Sequence, residues 1–208
     1  IFPDAFTSNI QWELVRSSDG GETWTSSIHG ATAAPIGPVL VNSNGYEFVS
    51  IGAGAVVQHS IDGGNSFTML QNGTTGGDRI ASPAVANDGV YVSYSCPNVY
   101  KVNPATGATI WFYSPGCSGG GGKTPALYNN RLYVRDSSDT IFDSAIGTII
   151  GSFNAKNTPA FSGNTGFFLN GPHSFGAFGT VEARDVNTNS VLWSFAGDGS
   201  LQSAVLVV

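Results

Sequence analysis

The sequence predicts an all-β fold, and three observations lead to this prediction. Short runs rich in Val, Ile, Phe, Tyr and Thr alternate with Gly, Ser, Asn and Asp, which is typical of strands and tight turns. No stretch keeps apolar residues at helical spacing without an interrupting Gly or Pro, so essentially no helix is expected. The pattern also recurs every 40 to 44 residues, which indicates a repeat architecture.

The predicted strands are short enough for antiparallel meanders. In chain order they are WELVRS (12–17), YEFVSI (46–51), AVVQHS (55–60), VYVSYS (90–95), VYKVN (99–103), RLYVRD (131–136), TVEARD (180–185) and VLWSFA (191–196).

A tight turn marks every repeat. Its Asp or Asn side chain can accept hydrogen bonds from backbone N–H groups further along the turn, and Gly supplies the positive φ that the reversal needs. The turn residues are Asp19, Asp62, Asn103, Asp143 and Asp185, and the aromatic residues that follow four of them are Trp24, Phe67, Trp111 and Trp193. Because these aromatic residues recur at one repeat position, they are predicted to pack between neighbouring units.

A second element is a strand that is usually entered through Pro or Ala. It recurs at 37–41, 82–86, 124–128, 158–162 and 203–207. Together with the strands above, it gives four strands in about forty residues, which is the pattern of a β-propeller blade.

Five repeat units can be assigned along the chain. They span residues 1–33 plus 203–208, 34–81, 82–123, 124–157 and 158–202. The C-terminal strand would complete the first unit, so the sequence predicts a five-bladed ring closed by strand exchange, an arrangement that removes free sheet edges. A fragment of a seven- or eight-bladed propeller is the alternative. The absence of an initial Met is expected of a processed chain or a fragment.

Two kinds of repeat resemble known families. SSDGGETW (17–24) and SIDGGNSF (60–67) resemble the Asp-box, or BNR, repeat. The later units, from SPAVANDGVYVSY (82–94) through VNPATGATIW (102–111), are similar to PQQ-like propeller repeats. Both resemblances imply a β-propeller, and neither implies a single function.

Composition excludes several classes of function. Eight Lys and Arg against 14 Asp and Glu leave no basic surface for nucleic acid, and no apolar run is long enough to span a membrane. The glycine-rich run at 119–124 lacks the first Gly of a phosphate-binding loop and is followed by Pro125. The three His are too dispersed for a zinc site, so no metal is predicted.

The two resemblances imply two enzyme classes, and the residues of this chain fit neither. Asp-box sialidases use an arginine triad and a tyrosine nucleophile, which cannot be assigned to the five Arg of this chain. Many quinoprotein dehydrogenases use adjacent cysteines and calcium, and this chain has no adjacent cysteines. The sequence therefore predicts no catalytic residue and no cofactor.

The cysteines and one glycosylation triplet point to an oxidising compartment. Cys96 and Cys117 fall in one repeat, so a disulfide is predicted, with two unpaired thiols as the alternative. Asn72 begins Asn-Gly-Thr, an acceptor for N-glycosylation. These features favour a secreted or extracellular protein.

Propellers bind ligands through loops at one end of the ring, and this predicts where a site would lie. The candidate residues of these loops are Tyr94, Asp136, Asp139, His173 and Phe175. The predicted function is a non-catalytic extracellular module that presents loops to a protein partner or larger assembly, as the likeness to PQQ-like assembly-factor propellers implies. A carbohydrate-binding propeller lectin is the alternative, and a glycoside hydrolase-like enzyme is third.

Overall fold

The structure is a computed structural model. It describes residues 10–17, 19, 21–31, 39–51, 56–63, 66–72, 82–94, 98–116, 123–135, 139–171, 179–198 and 200–207. The predictions for Cys96, Cys117, Asp136, His173 and Phe175 lie outside the described residues.

Eighteen strands occur in the described residues. An N-terminal hairpin comprises β1 (Ile10–Arg16) and β2 (Thr25–Ala31). Blade 1 comprises β3 (Leu40–Val41), β4 (Glu47–Ile51), β5 (Val56–Ser60) and β6 (Thr68–Asn72). Blade 2 comprises β7 (Ala84–Val85), β8 (Val90–Tyr94), β9 (Asn98–Val102) and β10 (Thr109–Tyr113). Blade 3 comprises β11 (Ala126–Tyr128), β12 (Arg131–Val134), β13 (Thr140–Asp143) and β14 (Ile149–Ser152). Blade 4 comprises β15 (Ala160–Ser162), β16 (Thr165–Asn170), β17 (Thr180–Asp185) and β18 (Val191–Phe195).

Each blade is an antiparallel meander in which the strands pair in chain order. In all four blades the pairing of the third and fourth strands contains a register irregularity. The prediction of an all-β propeller of four-stranded antiparallel blades is confirmed. None of the described residues belongs to a helix long and apolar enough to cross a membrane.

The predicted strand exchange between the termini is not formed by the described residues. Residues 200–207 contain no strand, and β1 pairs only with β2. Their backbone is engaged elsewhere, because the Leu201 carbonyl accepts a hydrogen bond from the Gly179 N–H at 3.1 Å and the Gln202 carbonyl accepts one from Asn157 Nδ2 at 2.6 Å. The segment therefore lies along blade 4, and the described part of the first unit is the hairpin of β1 and β2.

The core consists of layers between successive blades. Alternate residues of β8 point to opposite faces of blade 2, so Val92 and Tyr94 pack with Phe48 of blade 1 while Tyr91 packs with Leu132 of blade 3. Both faces of β8 are thus buried, which explains why this run is mostly apolar rather than alternating. A third layer joins blades 3 and 4.

Candidate functional site

The first two predicted turns share one hydrogen-bond geometry. Asp19 Oδ1 accepts hydrogen bonds from Ser17 Oγ at 2.7 Å and from the Thr23 N–H at 2.9 Å. Asp62 Oδ1 does the same with Ser60 Oγ at 2.7 Å and the Ser66 N–H at 3.0 Å. Hydrogen bonds from the Thr23 side chain and backbone hold the pKa of Asp19 well below its ordinary value. Each carboxylate is therefore engaged by hydrogen bonds within its own turn.

The three later turns use a shorter geometry. The side-chain oxygens of Asn103, Asp143 and Asp185 each accept hydrogen bonds from the N–H groups two and three residues further on, at 2.8 to 3.2 Å. The residue four positions after each Asx adopts a positive φ, which is 71° at Gly107, 74° at Gly147 and 58° at Asn189. The Asn or Asp side chain of each turn therefore holds the backbone of that turn in place through these hydrogen bonds.

The aromatic residues after the turns do not all share one environment. Trp111 lies between blades 2 and 3, where its ring centroid is 6.2 Å from that of Phe142 and Nε1 donates to the Ser144 carbonyl at 3.0 Å. Trp24 and Trp193, by contrast, are 62% and 49% exposed. These two rings therefore do not pack between units as predicted. Trp24 Nε1 donates a hydrogen bond within its own turn, and Trp193 lies on the outermost strand of blade 4. Phe67 is half-buried.

Two of the predicted ligand-loop residues can be placed, and both are buried. Tyr94 ends β8 with 1% of its surface exposed, and its ring meets that of Tyr100 edge-on at 5.6 Å. Asp139 adopts a φ of 43°, its carbonyl accepts the Phe153 N–H at 2.9 Å, and its Oδ2 accepts the Ala155 N–H at 3.1 Å. Neither side chain is presented to a ligand, because each completes the packing at a strand end.

Asn72 is the last residue of β6, and its glycosylation stays a prediction. Among the described residues, no group of three or more His, Cys, Asp and Glu side chains is placed to hold a metal ion.

A buried lysine is the most unusual ionisable group in the described structure. Lys101 Nζ lies 2.6 Å from Asp88 Oδ2 and 5.2 Å from the centroid of the Tyr91 ring. Burial alone would lower the pKa of Lys101, but the hydrogen bonds that its ammonium donates to Asp88 and Tyr91 outweigh burial and raise that pKa. The ammonium is already paired within blade 2, so we assign this cluster to the packing of that blade rather than to a ligand.

The outermost strands of blades 2, 3 and 4, here called the outer rim, expose large apolar side chains. Ile110 and Phe112 in β10 and Ile149 and Ile150 in β14 are about half exposed. On β18, Val191 is 50% exposed, Leu192 54%, Trp193 49% and Phe195 59%. The three strands TIWFY, IIGS and VLWSF contain no charged residue, a signal that was available in the sequence. Several large apolar side chains exposed on one strand, as on β18, are typical of interaction sites in soluble proteins.

β18 exposes four large apolar side chains, against two in β10 and two in β14. It forms the edge of blade 4, and no described strand pairs with its outer side. All five of its residues are exposed. β18 is the last strand described, which could by itself leave it exposed. However, β10 and β14 are followed by further blades and expose apolar residues as well, so this position alone does not explain the exposure of β18. The candidate functional site is therefore the outer rim, centred on β18.

Comparison with known proteins supports the fold. No family model matches the chain, and no curated protein matches it. The structure is similar to BamB from Moraxella catarrhalis, with a TM-score of 0.62 and 16% identity over 92% of this chain and 61% of that one. It is also similar to the computationally designed Ika8 protein, with a TM-score of 0.61 and 16% identity over 82% of this chain and 52% of that one.

A chain from the Mitotic Checkpoint Complex has a TM-score of 0.56 and 12% identity over 75% of this chain and 48% of that one. This chain thus spans about half to six tenths of the length of these structures. At these identities the likeness establishes the class, a β-propeller with four-stranded blades.

Proposed function

We propose that this chain is a non-catalytic extracellular propeller that binds a protein partner and serves as a scaffold within a larger assembly. The partner contributes an extended, uncharged apolar segment that pairs with the outer edge of β18. The observation that carries the proposal is the charge-free edge strand, in which every residue is exposed.

The chemistry of the edge supports this kind of partner. An edge strand presents unpaired N–H and C=O groups, and proteins normally protect such edges with Lys, Pro or a covering segment. β18 contains neither Lys nor Pro, and its side chains are Val, Leu, Trp, Ser and Phe. An added strand would satisfy the backbone groups, while apolar side chains would bury Leu192 and Trp193.

Its aromatic content suits β18 to a binding role. Tryptophan is over-represented among residues that dominate binding energy, and Trp193 lies in the middle of the strand. The Trp193 ring is anchored near Phe167 of β16, with ring centroids 6.0 Å apart. Its position is therefore partly set before a partner arrives, which lowers the entropic cost of binding.

The extracellular location belongs to the proposal. It is supported by two cysteines suited to one disulfide, by the glycosylation triplet at Asn72 and by the resemblance of the early turns to Asp-boxes. The occurrence of a similar propeller in the Mitotic Checkpoint Complex supports a role in an assembly.

Leu192→Lys tests the proposed edge. A charge on this exposed side chain has little reason to unfold blade 4, but it places an ammonium where the partner's apolar segment would lie. The matched control is Ile146→Lys, which adds the same charge at a residue that is 65% exposed but lies in the turn between β13 and β14. We expect Leu192→Lys to weaken partner binding at least tenfold, or by about 1.4 kcal/mol, and Ile146→Lys to leave it unchanged.

The measurement has two stages. The three proteins are used as baits in the extracellular fluid of the natural source, and a protein retained by the wild type and Ile146→Lys but lost with Leu192→Lys is produced pure and titrated by calorimetry. Equal affinity for all three baits would contradict the proposal. Concentration-dependent self-association that Leu192→Lys abolishes would assign the edge to a second copy of this chain and would also overturn it.

A further inference from the structure

We infer that the cleft between blades 3 and 4 binds a neutral, hexose-sized sugar through a vicinal diol. This cleft shares Ile150 of β14 with the outer rim but does not include β18, and its chemistry is that of a small polar ligand rather than an extended protein segment. The argument depends on the shape of the cleft, on its donors and acceptors, and on its charge.

The cleft has a volume of about 340 Å³, near the lower end of the range for small-molecule sites. Its apolar lining comes from Tyr133, Ile141 and Phe168, which are buried in the layer between the two blades. Ile150 lines it from β14 and is half-exposed. Because the other three side chains are buried, Ile150 is the one of these four that the C–H face of a sugar ring would meet.

The polar lining comes mainly from the turn that joins β17 to β18. Asp185, Asn187, Thr188 and Asn189 belong to this turn, and Ser152 lies on the facing blade. The turn is braced across the cleft, because Asn189 Nδ2 donates to the Ser152 carbonyl at 3.3 Å. The polar groups are thus held in place before a ligand binds, which reduces the cost of ordering them.

Asp185 supplies a fixed acceptor. Its Oδ1 accepts hydrogen bonds from the N–H groups of Asn187 and Thr188, and its Oδ2 accepts one from Asn164 Nδ2. These bonds, led by the backbone bond from Thr188, lower the pKa of Asp185 and keep it ionised. A carboxylate offers about four acceptor positions, so Oδ2 retains capacity for a ligand hydroxyl.

Arg131 supplies the donors. It lines the cleft from β12, and it forms no ion pair within 4 Å with any residue of the described ranges. The Arg131 charge helps to lower the pKa of Asp185, and its guanidinium also interacts with Tyr133, so both groups belong to one polar network in the cleft. A vicinal diol can donate one hydrogen bond to a carboxylate and accept others from a guanidinium, which matches this separated pair.

The charge of the cleft favours a neutral ligand. Among the lining residues, Arg131 carries one positive charge, Asp185 carries one negative charge, and the others are uncharged. A phosphate or sulfate would gain from Arg131 but would be repelled by the ionised Asp185. A sugar hydroxyl pair uses both groups without adding a charge.

The test uses the full chain with methyl α-glucoside, methyl α-mannoside and methyl α-galactoside as probes. Saturation-transfer NMR detects binding, and calorimetric titration measures affinity. Arg131→Gln removes the charge while keeping much of the side-chain volume, and Ile150→Trp fills the cleft from a half-exposed position without disturbing the buried layer. The control is Lys156→Gln, which removes a positive charge from the connection between β14 and β15, away from the cleft lining.

We expect at least one hexoside to bind, with affinity falling about tenfold or more in both cleft variants and staying within about twofold in Lys156→Gln. Absence of binding by all three hexosides, or an equal loss in the control, would overturn the inference. The result is separable from that at the outer rim, because Leu192→Lys should keep hexoside affinity and Arg131→Gln should keep partner binding.

Discussion

Replacing Gly107 with Ala is expected to lower the free energy of unfolding by about 3 to 4 kcal/mol, combining backbone strain with overpacking. Gly107 has a φ of 71°, and a Cβ built on it would lie 2.4 Å from the Leu70 carbonyl oxygen of blade 1. The obstructing atom belongs to the backbone, so no side-chain rotation can relieve the contact. The turn after β9 must therefore move away from blade 1, which opens the layer between blades 1 and 2.

The control variant Gly45→Ala separates the cost of backbone strain from the cost of a close contact. Gly45 has nearly the same φ, 76°, but no atom lies within 4 Å of a Cβ built there. The control should lose only about 1 kcal/mol, the cost of a side chain in the left-handed region. Urea denaturation of both variants gives the comparison, and equal losses would mean that blades 1 and 2 do not approach as closely as the structure shows.

Replacing Phe142 with Ala is expected to cost about 3 to 5 kcal/mol, the usual range for a buried aromatic residue. Phe142 has no exposed surface, and its ring centroid lies 6.2 Å from that of Trp111 and 5.0 Å from that of Tyr113. These rings belong to blade 2 and Phe142 to blade 3, so the substitution leaves a cavity in the layer between them. The stability is lost because packing between blades 2 and 3 is weakened, whereas the hydrogen bonds within blade 3 are expected to stay intact.

Phe112→Ala is the matched control for Phe142. Its ring stacks on Tyr100 at 4.3 Å, yet the residue is half-exposed at the outer rim. A loss of about 1 kcal/mol is expected, close to the value of one aromatic pair. Thermal unfolding followed by near-ultraviolet circular dichroism measures both, and a smaller loss for Phe142 than for Phe112 would show that the interblade layer does not hold the fold together.

The sequence predicted the blades well because local patterns determine them. The runs at 90–95, 99–103 and 131–136 correspond to β8, β9 and β12, and the Asx turns follow from residue types that accept backbone hydrogen bonds. The repeat of the turn and strand motifs was a better guide to the strands than alternation of polar and apolar residues, because strands buried on both faces lack a polar side. The same burial explains why Tyr94, predicted at a ligand face, is in the core.

The candidate sites were harder to predict because they depend on the arrangement of blades. Arg131 and Asp185 lie in different repeats, and only the packing of blade 4 against blade 3 places both in one cleft. Trp24, Trp111 and Trp193 occupy the same repeat position, but their exposure depends on what the structure packs beside each one. The outer rim could have been found from the absence of charge in β10, β14 and β18, a feature that strand prediction alone does not use.

Hydrogen exchange measured by mass spectrometry tests the central claim most directly, namely that a stable propeller carries an uncovered edge at β18. In the isolated chain, amides of β8 and β9 should exchange only through global opening, whereas the outward amides of β18 should exchange orders of magnitude faster because no strand covers them. Addition of the partner should slow exchange in residues 191–195 and leave β8 unchanged. Protection of β18 equal to that of β8 in the isolated monomer would contradict the account.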